Sequence, residues 1–218
     1  MANQPSDDDN DWQKLLEGLK DPVTIVVHQT QAQNEYLEEF KPRLEELSSK
    51  YELIDLKFVQ EEGEPEDNVK HLVDHFPAFV ILDKEGSDHG IRFYGCPLGN
   101  IFHSFISTLI MLSTGEHGLS EDETGTAASL EDTDIQVLVT PNAPSINNTI
   151  DITQRLSYVN ERVKACVIEL IQFPDIAEQY RVLGIPKTII NETQHYTGQF
   201  TLKEGLEIIQ NKISDAEE

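Results

Sequence analysis

Cysteine is scarce in this sequence, and its scarcity excludes two common kinds of site. Only two cysteines, Cys96 and Cys166, occur among the 218 residues. They are too few for a disulfide-stapled scaffold and too far apart in sequence for a cysteine metal knuckle. Because a free cysteine behaves as a small apolar residue, we expect both to be buried or half-buried thiols.

Basic residues are also few: 16 lysines and arginines stand against 40 aspartates and glutamates, a net charge of −24. A surface this acidic repels phosphate, so neither nucleic acid nor an anionic membrane is an expected partner. Two interpretations of the acidity stay open. It serves solubility or adaptation to salt, or it steers the chain toward another protein with a basic surface.

Long apolar runs are missing as well. No stretch of 18 or so apolar residues exists, so no membrane span is expected. The first ten residues are polar and acidic, unlike the basic start and apolar centre of a signal peptide, and we therefore expect a cytoplasmic protein. The glycine-rich segment 95–99 lacks the lysine and the spacing of a phosphate loop, and no cofactor is predicted.

The sequence does contain a repeated order of strand and helix patterns. Apolar alternation and helical spacing predict the order β-α-β-α-β-β-α over residues 23–113, and the same order again over 135–213. The predicted elements include a short helix at 11–20 with Leu15 on its apolar face, helices at 34–50, 67–75 and 145–160, and a strand at 78–82. This predicts an acidic tail with a short helix (1–21), a first unit (22–115), a linker (116–134) and a second unit (135–218).

Segment 137–146 has the pattern of a strand and turn that lead into a Cys-x-x-Cys redox pair. The two cysteine positions hold Ala143 and Ile146 instead. Thiol–disulfide exchange needs a thiolate as its nucleophile, and neither side chain supplies one.

The first half repeats this arrangement. Ala32 and Glu35 open the corresponding helix, and Ala32 precedes its proline by about as many residues as Ala143 does in the second half. Each half therefore has a strand, a turn into a helix, and a proline directly before a central strand. The two dipeptides are Phe76–Pro77 and Ile185–Pro186.

Segments 90–102, 137–144 and 173–187 carry a family resemblance that covers both halves in order. On these segments the span 23–213 resembles the two-unit protein disulfide oxidoreductases of thermophiles. It is similar also to the N-terminal domain of the bacterial alkyl hydroperoxide reductase flavoprotein. The resemblance implies an α/β protein of two tandem thioredoxin-like folds, each a central mixed sheet flanked by helices, with cis-prolines at Pro77 and Pro186.

The departure from the family pattern decides the predicted function. No nucleophile carries over, so we expect a redox-inactive protein that binds another protein as a scaffold, assembly factor or chaperone-like module. Binding is expected in grooves beside the prolines, where the preceding residue can offer its N–H and C=O to an extended peptide. The candidate binding residues, of which Asn142 and Ser145 are also candidate helix caps, are Phe76, Pro77, Asn142, Ser145, Ile185 and Pro186.

Three other readings of the sequence stay open. Cys96 or Cys166 could act as the single nucleophile of a thiol-dependent oxidoreductase with rewired chemistry. The apolar helix predicted at 98–113 could pack on a second copy, which would make the chain a homodimer rather than a monomer. His71 and His75 have a spacing that suits zinc, but a third ligand is not evident and a solvated face is favoured, so no metal is predicted.

Overall fold

The structure, a computed structural model, describes residues 11–60 and 73–214, with side chains described for 12–60 and 73–210. The first half contains α1 (Asp11–Leu16), β1 (Val23–Gln29), α2 (Glu35–Lys50), β2 (Ile54–Gln60), β3 (Ala78–Leu82), β4 (Asp88–Tyr94) and α3 (Asn100–Thr114). It is followed by α4 (Glu121–Ala128), β5 (Thr133–Val139), α5 (Ile146–Val159), β6 (Val163–Glu169), α6 (Pro174–Gln179), β7 (Lys187–Ile190), β8 (Gln194–Thr197) and α7 (Leu202–Ser214).

All eight strands form a single sheet in the order β2-β1-β3-β4-β6-β5-β7-β8. Each half contributes four adjacent strands in the same relative order, as a duplicated thioredoxin-like unit requires. The halves are joined where β4 pairs in parallel with β6, from Ile91 opposite Ala165 to Tyr94 opposite Ile168. The unit boundaries predicted at residues 115 and 135 remain a prediction, because one continuous sheet runs through both halves.

Side chains alternate between the two faces of this sheet, as the period of a β-strand dictates. One face, here the helical face, packs Val27, Phe93 and Val137 against α2, α3, α5 and α7. The other face, here the second face, carries Val80 and Ile168 and is covered in the second half by α6. The two faces therefore hold separate clusters of buried side chains.

Helix α3 lies in the interior of the molecule. Its side chains at Phe102, Phe105 and Leu109 are buried, and it packs against the sheet, α1 and α5. Trp12 of α1 meets Phe102 edge to face at 5.5 Å between ring centroids. The expectation of a free outer face for a second copy is wrong for this helix, because α1 and α5 already cover it.

The segment predicted to be a linker is also packed. Ser120 and Glu123 form a capping box that starts α4, and the turn after this helix is fixed by Asn160, whose Nδ2 donates to the Ala127 and Leu130 carbonyls at 2.9 Å each. Helix α1 is shorter than the sequence pattern suggested, and Leu15 on its predicted buried face is 37% exposed.

The other predicted elements occur within a few residues of their expected limits. Of the helix predicted at 67–75, residues 67–72 lie outside the described chain and 73–75 are not helical. The tail 1–10 also lies outside it. No helix in the described part of the chain has the length and apolarity needed to cross a membrane.

Candidate functional site

The two loops in which the sequence pattern suggested a Cys-x-x-Cys pair, after β1 and after β5, lie at the same edge of the sheet. Strands β1, β4, β5 and β6 end there, and β3 and β7 begin there, because each of these two runs antiparallel to its neighbour. The prolines are anchored alike: Gly95 N donates to Pro77 O at 2.9 Å, and Gly198 N donates to Pro186 O at 2.8 Å. Since β3 and β7 are four strand steps apart, the prolines are separated by about 19 Å.

In the first half, the loop after β1 leads into α2 with a well-formed cap. Asn34 is the N-cap, and its Oδ1 accepts a hydrogen bond from Leu37 N at 2.9 Å. Ala32 and Glu35 are both exposed, on either side of this cap. The cap was missed by the sequence reasoning, although an asparagine directly before an amphipathic run is a recognised helix-start signal.

A groove of about 460 Å³, here the first groove, lies between this loop and the proline turn. The structure brings Ala32, Phe76 and Pro77 together in its wall, whereas Glu35 lies outside it. The Phe76–Pro77 peptide bond is cis, as is Ile185–Pro186. The lining is rich in side-chain amides and has one hydroxyl, that of Thr30; its residues are Gln29, Thr30, Gln31, Ala32, Gln33, Asn34, Leu37, Glu38, Lys41, Gln60, Phe76 and Pro77.

The charges in the described part of the first groove's lining are balanced. There, one cation and one anion, Lys41 and Glu38, form an ion pair one helical turn apart. No cysteine is among its lining residues. The groove therefore offers neutral hydrogen-bonding groups, which suit the backbone of an extended chain, and no nucleophilic thiol.

The corresponding loop of the second half, here the second loop, is held shut. Asn100 at the start of α3 donates from its backbone N to Pro141 O at 2.8 Å and from Nδ2 to Ala143 O at 3.0 Å. Ala143 is half-buried and Ile146 is fully buried. The first half thus closes the second loop through Asn100. This contact joins segments that are distant in the sequence, and no local sequence pattern predicts it.

The remaining candidate residues of the second half differ from one another in burial. Pro186 is buried, and Ile185 is half-buried against the core. Asn142 and Ser145 are exposed, but the expectation that they cap α5 is wrong. Ser145 occupies the N-cap position with φ +61 and makes no side-chain capping hydrogen bond, and Asn142 lies three residues earlier.

Replacing Gly99 with alanine is expected to destabilise the contact that seals the second loop. Gly99 has φ +54, and a Cβ there would lie 2.5 Å from Pro141 O. We expect Gly99→Ala to lower the free energy of unfolding by about 3 kcal/mol in urea titrations.

Gly86 supplies the matched control for this substitution. It also has positive φ, +76, but a Cβ there would meet nothing within 4 Å. Gly86→Ala should therefore cost only the backbone term, about 1 kcal/mol. Equal losses in the two variants would show that the Pro141 contact contributes nothing.

The two cysteines lie on opposite faces of the sheet, which excludes a disulfide between them in this fold. Cys96 belongs to the buried cluster of the helical face, and its backbone N donates to Gln172 Oε1 at 3.0 Å. Cys166 lies in β6 between Arg92 and Gln136 and packs on the second face.

Neither thiol is set up as a nucleophile. Burial, reinforced by the nearby Glu169 carboxylate, raises the pKa of Cys96 to about 12. Burial is also the main cause that raises the pKa of Cys166, with Asp134 adding to it. A reactive cysteine needs its pKa lowered, so this arrangement argues against rewired thiol chemistry.

Alkylation should reflect this directly. With its pKa raised to about 12, native Cys96 should react with iodoacetamide about 10³-fold more slowly than it does in the urea-unfolded chain. Mass-spectrometric counting of modified peptides measures the ratio. Equal rates in the native and unfolded states would contradict the assigned burial.

His75 forms no metal site within the described chain. Its Nδ1 lies 2.8 Å from Asp74 Oδ1, and this hydrogen bond raises the pKa of His75. His71 lies outside the described residues. Among the residues described, no group of three or more histidine, cysteine, aspartate or glutamate side chains could hold a metal ion.

The fold defines the class of this protein as a tandem thioredoxin-like fold, and neither of the two loops contains a cysteine. No protein-family model matches the sequence. The chain is 30% identical over 198 residues to the alkyl hydroperoxide reductase AhpF of Escherichia coli K12, a match that takes in 87% of this chain and 34% of that protein. The chain thus spans about a third of the length of this curated relative.

Two solved structures show the same fold over nearly the whole chain. The N-terminal domain of the alkyl hydroperoxide reductase AhpF of Enterococcus faecalis superposes with a TM-score of 0.86 at 21% identity, covering 95% of this chain and 100% of that one. A protein disulfide oxidoreductase of Aeropyrum pernix superposes with a TM-score of 0.84 at 19% identity, covering 97% and 94%. The resemblance predicted from the sequence is confirmed, in sequence and fold for the alkyl hydroperoxide reductase and in fold for the protein disulfide oxidoreductase.

Proposed function

We propose that this chain binds an extended segment of another protein in the first groove, and that it does so without thiol–disulfide exchange. The observation that carries the proposal is the contrast between the two loops. The first groove is open and lined by the loop and Pro77 together, whereas Asn100 closes the second loop. Both loops lack a thiol, so the retained geometry serves contact rather than electron transfer.

The chemistry of the first groove suits recognition of peptide backbone. Its amide and hydroxyl side chains can pair with the N–H and C=O groups of an extended chain, and Leu37 and Phe76 supply apolar contact. Because Lys41 and Glu38 pair with each other, the described lining of the groove favours neither charge. The net charge of −24 instead acts at longer range and favours a partner with a basic surface.

Filling the first groove should abolish binding. Ala32 is exposed in the groove wall, so Ala32→Trp can place an indole in the groove without disturbing the core. We expect the affinity of a partner captured by the wild-type chain to fall at least about 100-fold, as for a blocked hot spot, in isothermal titration calorimetry.

Ala128 provides the control. It is an exposed alanine at the end of α4 and is not among the groove residues, so Ala128→Trp should bind as the wild type does. The complex should also weaken as salt rises, because long-range charge is screened. A partner that binds Ala32→Trp and Ala128→Trp equally well would place the binding site elsewhere.

A further inference from the structure

A second cavity lies on the second face of the sheet, where the two halves meet. It has a volume of about 280 Å³, and its floor is formed by β4, β5 and β6, with α6 along one wall. Residues of both halves line it, and none of the four degenerate cysteine positions does. It is therefore distinct from both the first groove and the second loop.

Several charged groups around this cavity are already paired. Arg92 is buried in the floor, and its two terminal nitrogens donate to the Asp88 carboxylate at 2.7 and 2.6 Å. Asp74 is bonded to His75, and the Tyr94 hydroxyl also bonds to it, which together lower the pKa of Asp74 against the opposing effect of burial. These groups shape the cavity but are not available as the main ion partners of a ligand.

One carboxylate oxygen in the cavity wall stands out because it is buried without a partner. Asp134 Oδ1 is almost inaccessible to solvent and accepts no hydrogen bond in the described chain. Leaving such an acceptor unpaired costs on the order of 1–3 kcal/mol, so a donor placed beside it is favoured. Desolvation by burial raises the pKa of Asp134 and outweighs the opposing effects of the Lys164 charge and of a hydrogen bond from the Gln136 side chain.

The charged groups of the lining that are not already paired favour the binding of a cation. Glu192 adds a second carboxylate to the same wall. The remaining cation is Lys164, which lies opposite Asp134 in the parallel register of β5 and β6 and attracts its carboxylate. Two carboxylates thus face one ammonium. Apolar surface for the body of a ligand comes from Ile168, Ile176 and the rings of Tyr94 and Tyr180.

We propose that this cavity binds a small organic cation with a primary ammonium group, which donates to Asp134 Oδ1 while its alkyl body packs on Ile168 and Ile176. An ammonium–carboxylate hydrogen bond is among the stronger ones in proteins, and the partial enclosure strengthens it further. The cavity volume accommodates a chain of four or so carbons beside the ammonium. This binding is independent of the first groove and of any protein partner.

The test uses the full chain with n-butylammonium, butyrate and n-butanol as probes of equal size. Cys166 lines the cavity and is partly exposed, whereas Cys96 is fully buried elsewhere. Occupancy should therefore slow the alkylation of Cys166 and leave that of Cys96 unchanged. We expect protection by butylammonium with a millimolar Kd, about 10-fold tighter than for butanol, and no protection by butyrate.

Variants locate the site. Asp134→Asn removes the acceptor and should weaken butylammonium binding at least about 10-fold. Asp132→Asn is the matched control, because Asp132 is exposed and does not line this cavity. Glu192→Gln, at a surface turn, should weaken binding two- to threefold and serves if Asp134→Asn fails to fold. Equal protection by butyrate, unchanged binding in both cavity variants, or no protection by any probe would overturn the proposal.

Discussion

Cysteines placed at Ala32 and Glu35 are expected to give this chain dithiol reductase activity, whereas cysteines at Ala143 and Ile146 are not. The first pair is exposed at the start of α2, where a helix N-terminus lowers a thiol pKa. The second pair is half-buried and fully buried, beneath the Asn100 seal. We expect Ala32→Cys/Glu35→Cys to reduce insulin disulfides at least about 10-fold faster than the wild type.

The alkylation rates of the introduced thiols show whether an inactive variant has a buried thiol or has failed to fold. The single variant Ala32→Cys should alkylate at nearly the rate of an unfolded thiol, and Ile146→Cys about 100-fold more slowly. Comparable insulin reduction by both double variants would contradict the view that the two loops differ in access. Insulin reduction by the Ala143→Cys/Ile146→Cys variant alone would show that the second loop, and not the first, is accessible.

Phe105→Ala is expected to cause the largest loss of stability among single truncations. Phe105 is fully buried in α3, and its ring contacts those of Phe79, Phe93 and Phe102 at 5.2 to 6.2 Å between centroids. Removing the ring leaves a cavity at the centre of this cluster. We expect the free energy of unfolding in urea to fall by about 4 kcal/mol.

Phe58 provides the control for this truncation. It lies in the edge strand β2, is 37% exposed, and has the Lys41 ammonium 5.7 Å above its ring. Phe58→Ala should cost about 1 kcal/mol or less, because little buried volume is lost. A loss at Phe105 no larger than that at Phe58 would contradict the assignment of α3 to the interior.

Much of the fold could be predicted from the sequence because local pattern and fold agree. Strand β3 was predicted at its observed limits, since the run Ala78–Leu82 is apolar throughout and follows a proline. Helices α2 and α5 were placed within a residue or two from their apolar spacing. The duplication then supplied the topology, because the same order of elements occurs twice.

The contacts between the halves could not be predicted in this way. The parallel pairing of β4 with β6 joins strands about 70 residues apart, and no hydrophobic period specifies which edges meet. The seal at Ala143 depends on Asn100 Nδ2, and Gln172 holds the backbone of Cys96 from the other half. Polar side chains of this kind look like ordinary surface residues until tertiary structure places them.

The sequence pattern predicts the same kind of binding groove at both loops, but the two loops differ in the structure. Counting from the strand pairing, Ala32 lies four residues beyond His28, whereas Ala143 lies five beyond Leu138, so the second loop is one residue longer. Only the structure shows that the longer loop is covered by α3. We therefore place the proposed binding site in the first groove alone.

The charged cavity on the second face was also invisible in the sequence. Arg92 falls between the apolar residues Ile91 and Phe93, and its burial depends on Asp88, four residues earlier in the same strand. A buried arginine is tolerated only when a carboxylate pairs with it, because an isolated charge is costly to desolvate. Asp134 and Glu192 reach the same cavity from separate segments, and only the register of the sheet brings them together.

The central claim is that this chain binds its partner through the first groove without using a thiol. The most direct measurement is the Kd of a captured partner for the cysteine-free variant Cys96→Ala/Cys166→Ala, with and without dithiothreitol. The account predicts a Kd within about twofold of the wild-type value in both conditions. Loss of binding in the cysteine-free variant, or a wild-type complex that dithiothreitol releases, would contradict it.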